Sequence, residues 1–109
     1  MQNHEIGDIG ISAITYSELR FGVANSSNPE ENSIALAEFI APLEVVDYTA
    51  EVAETYGTIR SFLKKKGRLI GPLDLLIAAH VLRLQSTLVT NNVREFARIP
   101  GLRIENWTQ

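Results

Sequence analysis

The chain has 109 residues, 45% of them apolar and 21% charged, an ordinary globular composition that argues against wholesale disorder. It contains no cysteine, which excludes disulfide scaffolds, thiolate zinc sites and cysteine nucleophiles, and its two histidines, His4 and His80, are too few for a histidine metal cage. The net charge of −3 hides a polarity: residues 1–54 carry −9 and residues 55–109 carry +6, so an acidic and a basic region are expected unless the two halves interleave.

The length predicts one domain over residues 1–109. No apolar run approaches the roughly 20 residues that span a bilayer, and Met1-Gln2-Asn3-His4-Glu5 is no signal peptide. With the absence of cysteine, this points to a cytoplasmic protein with no membrane partner.

Ile9–Ile14 alternates β-branched and small residues and predicts a short strand. Thr15 then reads as a helix N-cap, with Glu18 at the capping-box distance. That helix loses regularity near Gly22 or Asn25. Asn28-Pro29-Glu30-Glu31 opens a second helix with a cap residue, a proline at the first position and acids in the first turn. Ile34, Ala37, Ile40 and Ala41 form its expected apolar face, and Pro42 ends it. Leu43–Asp47 reads as a strand.

Thr49 caps the next helix, whose apolar stripe runs from Val52 through Ile59 to Leu63 and ends at Lys64-Lys65-Lys66-Gly67-Arg68. After a loop from Gly67 to Gly71, Pro72 opens a helix that is apolar almost all round from Leu73 to Leu84, so deep burial is expected. Thr87–Thr90 is a short strand, Asn91-Asn92 a turn and cap for Val93–Ala97, and Arg103–Asn106 a last strand. This alternation argues for an α/β domain with a mainly parallel sheet.

Ligands of open parallel sheets bind beyond the carboxyl ends of the strands. Three residues fall near such ends: Glu18, Asp74 and Asn92. Each also has a purely structural reading, as a capping-box glutamate, as a complement to the helix dipole and as a helix cap. Together, two carboxylates and an amide oxygen make a hard donor set suited to Mg²⁺ or Mn²⁺. With no serine–histidine pair in view, metal-assisted phosphodiester hydrolysis is the enzyme class that fits best. The lysine run reads either as a solvated helix end or as a phosphate-backbone contact.

Three motifs then carry a resemblance. Ile11-Ser12-Ala13-Ile14-Thr15 with Glu18-Leu19, Ile70-Gly71-Pro72-Leu73-Asp74 with Ile77-Ala78-Ala79-His80, and Leu88-Val89-Thr90-Asn91-Asn92-Val93-Arg94-Glu95-Phe96 with Gly101–Trp107 resemble the VapC toxins of the PIN-domain family. The resemblance covers the chain from about residue 9 onward, in the family's order. It implies a three-layer PIN-like fold and a Mg²⁺- or Mn²⁺-dependent endoribonuclease that acts as the toxin of a type II toxin–antitoxin system. It also implies a homodimer, neutralisation by a VapB-type antitoxin, and DNA contact only through that antitoxin. Asp74 and Glu18 would be metal ligands and Asn92 would orient water or metal. Ser12 and Thr90 would support the site from behind, and Lys64, Lys65, Lys66, Arg68 and Arg94 are the candidate RNA contacts.

Members of the family begin with a strand ending in leucine-aspartate-threonine-asparagine, whose aspartate is the primary metal ligand. No such segment precedes Ile9, and Asp8 does not replace it. The resemblance therefore implies that the central strand and one helix lie outside this sequence, and that the chain as given has feeble activity. The alternative is a non-catalytic module that binds an antitoxin or a second copy through exposed strand edges.

Overall fold

The computed structural model describes residues 10–90 and 92–106. Ile9, Asn91 and Trp107, which belong to the expected first strand, the turn before Val93 and the last motif, lie outside the described residues. The chain divides into two compact units, one ending at Asp47 and the other beginning at Tyr48. The first holds one basic residue against eight acids and the second nine against five, so the expected polarity segregates by unit, −7 and +4.

The first unit is built from β1 (Gly10–Ser12), α1 (Ala13–Ala24), α2 (Pro29–Ile40) and β2 (Glu44–Val46). β1 and β2 pair in parallel, with Ile11 opposite Val45 and Ser12 opposite Val46. The strand ends and the helix starts earlier than the sequence predicts. Ser12, not Thr15, is the N-cap: its backbone is extended (φ −63°, ψ 141°) and its hydroxyl accepts a hydrogen bond from the Ile14 N–H at 3.1 Å. Once Ser12 closes the ladder and caps the helix, Thr15 falls inside the first turn.

α2 begins at Pro29 with Glu30 and Glu31 in its first turn, as expected, although the Asn28 side chain makes no capping bond. Its buried face differs from the predicted one. Leu36 is 8% exposed and Ile34 63% exposed. Arg20 of α1 donates to the Ser33 hydroxyl, so Ser33, Leu36 and Ile40, at i, i+3 and i+7, form the inward stripe. Ile34 sits about 100° round the helix from Ser33.

The second unit contains α3 (Ala50–Lys65), α4 (Pro72–Arg83), β3 (Thr87–Thr90), α5 (Val93–Phe96) and β4 (Arg103–Asn106). Thr49 caps α3 through its hydroxyl, which accepts from the Val52 N–H. β3 and β4 pair in parallel from Thr87 opposite Arg103 to Thr90 opposite Asn106. The four strands thus form two parallel pairs, one in each unit, rather than one continuous sheet among the described residues. Val52, Ile59 and Leu63 of α3 pack with Leu75, Ala78 and Ala79 of α4 to form the core, which Ile70, Phe96 and Ile99 complete.

α4 is not buried all round. Leu75, Ala78 and Ala79 face the core at helical spacing, while Leu73 and Leu84 are each 48% exposed, because only one stripe of a helix can pack on a single neighbouring layer. His80 is buried, with the Tyr48 ring edge-on to it at 5.7 Å. Burial and the neighbouring Tyr56 push the Tyr48 phenol above its usual 10.0. Among the described residues, no helix is long and apolar enough to cross a membrane.

Candidate active site

Gly71 is the N-cap of α4, in an extended conformation (φ −57°, ψ 146°), and Pro72 occupies the first helical position. Proline lacks an N–H and its fixed φ suits a helix start, so the chain turns into α4 at Gly71. Asp74 follows in the first turn, half-buried. The Gly71 carbonyl accepts from Leu75 N–H at 2.9 Å, which closes that turn.

Glu95, half-buried on α5, reaches the same place from 24 residues away. Its Oε1 accepts a hydrogen bond from the Gly71 N–H at 3.4 Å. A Cβ built on Gly71 would lie 3.8 Å from Asp74 Oδ2 and 3.9 Å from Glu95 Oε1. The two carboxylate oxygens are therefore under about 8 Å apart, both beside Gly71.

Glu95 was quoted in the third motif but given no role by sequence reasoning. Its position offers a signal: it stands three residues after the N-cap Asn92, the capping-box distance. In a capping box it would accept from the Asn92 N–H. The Thr90 hydroxyl already accepts from that N–H at 3.0 Å, and the glutamate turns to Gly71 instead.

Asn92 is exposed and its side chain makes no capping bond. The structural reading of Asn92 as a side-chain cap is thereby removed, while Thr90, at the end of β3, fixes its backbone. Glu18 lies in the middle of α1, exposed, six residues after the cap at Ser12. Its reading as a capping-box glutamate is removed as well, since the third helical position is Thr15.

The basic residues Lys64, Lys65, Lys66 and Arg68 are exposed at the end of α3 and in the loop that leads to Gly71, and Arg94 is exposed beside Glu95 on α5. The Lys66 ammonium lies 5.6 Å from the centre of the Phe62 ring.

The second unit thus joins Asp74 to Glu95 at Gly71, and Thr90 to Asn92. The first unit carries Ser12 and Glu18. Within each unit, among the described residues, no group of three or more His, Cys, Asp or Glu side chains forms a ready-made cage. The donors beside the exposed Gly71 are carboxylate oxygens. That chemistry fits a hard cation that keeps several waters, as Mg²⁺ does, better than zinc.

Residues 2–102 match the family model described as PIN domain. The chain is 46% identical over 99 residues to ribonuclease VapC2 of Rickettsia felis, covering 91% of this chain and 74% of that protein. It is 47% identical over 97 residues to the tRNA(fMet)-specific endonuclease VapC of Salmonella typhimurium, covering 89% and 74%. Among solved structures it resembles VapBC2 from Rickettsia felis bound to a DNA fragment from their promoter, with a TM-score of 0.88 at 46% identity, covering 91% of this chain and 74% of that one. The resemblance drawn from the three motifs and the α/β, PIN-type fold it implied are both borne out.

Proposed function

The chain belongs to the VapC group of the PIN-domain family, and we propose that it is a divalent-metal-dependent endoribonuclease, the toxin of a type II toxin–antitoxin pair. The observation that carries this reading is the pair of carboxylates, Asp74 and Glu95, beside the exposed Gly71. They would hold Mg²⁺ or Mn²⁺, and the family motif gives Glu18 the role of a metal ligand. The bound ion would supply a water of lowered pKa and stabilise charge on the phosphoryl group.

The chain's own groups have separate tasks in this reading. Asp74, set in the first turn of α4, presents its carboxylate from a rigid helix whose entry is fixed by Pro72. Glu95 both binds and anchors, because one oxygen is tied to the Gly71 N–H. The exposed Asn92 amide orients water, on a backbone held by the Thr90 hydroxyl. Ser12 fixes where α1 begins and so the position of Glu18 along it. Arg94 contacts the RNA backbone beside the site.

Three of the solved structures that the chain resembles are VapBC complexes, two of those three bound to DNA. This supports a VapB-type antitoxin as partner, with DNA reached through the antitoxin. A cytoplasmic homodimer completes the proposal. The test uses the full chain with initiator tRNA, the substrate named for the Salmonella relative. Expected are Mn²⁺ binding by calorimetry and cleavage that requires Mg²⁺ or Mn²⁺ and stops with EDTA. A chain that neither binds Mn²⁺ nor cuts RNA overturns the reading, as does cleavage that persists in EDTA.

A further inference from the structure

α3 ends in a way that fixes the loop after it. Gly67 takes a left-handed conformation (φ 67°), the position where glycine ends a helix at least cost. The Arg68 N–H then donates back to the Leu63 carbonyl at 2.9 Å. Arg98 donates to the Leu69 carbonyl at 2.9 Å, Ile70 is buried, and the Gly71 N–H is held by Glu95. Every residue from Gly67 to Gly71 therefore has an anchor.

The Arg68 side chain leaves this braced loop three residues before Gly71, so the two Cα atoms are at most about 11 Å apart. Lys64, Lys65 and Arg68 are exposed, and among the described residues none of their side chains makes a hydrogen bond or ion pair. Cations in the last turn of α3 complement the helix dipole, which accounts for Lys64 and Lys65. Arg68 lies beyond the helix, where that explanation does not reach. Beside the run, Phe62 is 41% exposed and offers a ring on which a base can stack.

We propose that Arg68, with Lys64, Lys65 and Lys66 behind it, forms a phosphate track that holds the RNA strand beside Gly71. The inference rests on the nuclease reading, but its test involves no cleavage. A fluorescein-labelled single-stranded oligoribonucleotide is titrated with the full chain in EDTA across a salt series.

Arg68→Gln is expected to weaken binding about threefold and to lower the slope of log K against log salt by about 0.7, the contribution of one phosphate contact on a single strand. Arg68→Lys keeps the charge and restores the slope. Replacing Lys64, Lys65 and Lys66 together by Gln lowers it by up to about 2. Arg83→Gln, at the far end of α4, changes nothing, with folding of each variant checked by thermal melting.

An unchanged slope in Arg68→Gln overturns the proposal. An equal loss in Arg83→Gln also does so, since the effect is then net charge alone. So does poly-glutamate competing as well as RNA, which would make the surface a site for acidic protein. A failed track with intact Mn²⁺ binding and cleavage leaves the nuclease reading standing, and RNA binding without Mn²⁺ binding does the reverse.

Discussion

The Gly71 N–H donates to Glu95 Oε1 across 24 residues of sequence, and this bond ties the head of α4 to the short helix α5. α5 has only four residues and cannot hold its own position by helix propensity. Phe96 anchors it in the core and Glu95 sets its rotation, so its second carboxylate oxygen is presented from a fixed frame.

Glu95→Gln keeps a carbonyl oxygen to accept from Gly71 and removes the negative charge. The expected outcome is a fold whose stability changes by less than about 1 kcal/mol and a metal affinity reduced about 10–100-fold. Asp74→Asn, which removes the charge of the other carboxylate, is expected to lower metal-dependent cleavage about 100-fold or more. Thermal melts, Mn²⁺ titration and cleavage rates measured side by side separate the two. Wild-type cleavage in Asp74→Asn refutes its assignment.

The start of α1 gives a test of stability alone. Ser12→Ala removes the hydroxyl that accepts from Ile14 N–H and is expected to cost about 1 kcal/mol, or roughly 4–8 °C in Tm for a chain of this size. Thr15→Ala, inside the first turn, is expected to change Tm by less than half as much. Were Thr15 the true cap, denaturation curves would rank the two variants in the opposite order.

The same helix shows what the sequence discloses and what it withholds. Thr49, Asn28-Pro29 and Gly71-Pro72 mark helix starts by interactions confined to one turn, so each is readable from neighbouring residues. Ser12 and Thr15 are equally good caps by chemistry, and the choice falls to Ser12 because it pairs with Val46 at the end of β1, a contact 34 residues distant. Glu95 stayed without a role for the same reason: its partner lies in another loop, and local spacing alone assigns it to Asn92. Asp74 was visible because a carboxylate opening an apolar helix is conspicuous in the sequence itself.

The inward face of α2 also depends on a neighbour, since the helix carries apolar residues on more than one side. Leu36→Ala is expected to cost about 2–4 kcal/mol through lost burial and the cavity left behind. Ile34→Ala, at 63% exposure, is expected to stay within about 0.5 kcal/mol of the parent. Urea unfolding of both variants measures this directly. Equal losses would mean that the face predicted from the helical spacing of Ile34, Ala37, Ile40 and Ala41 packs as well.

Gly71→Ala asks whether the space between the carboxylates matters. The backbone there has φ −57°, open to any residue, and the added methyl would meet Asp74 Oδ2 and Glu95 Oε1 at ordinary van der Waals distances. Folding should therefore tolerate it: alanine restricts the unfolded chain, a gain of about 0.4–1 kcal/mol, and is a poorer N-cap than glycine by a similar amount. If the two carboxylates hold an ion as proposed, the methyl would crowd it and its waters. Unchanged Tm with Mn²⁺ affinity lowered about 10–100-fold is the expected pair of results. Unchanged Tm with unchanged affinity would show that the ion is held away from Gly71, and Asp74 and Glu95 would lose their shared role.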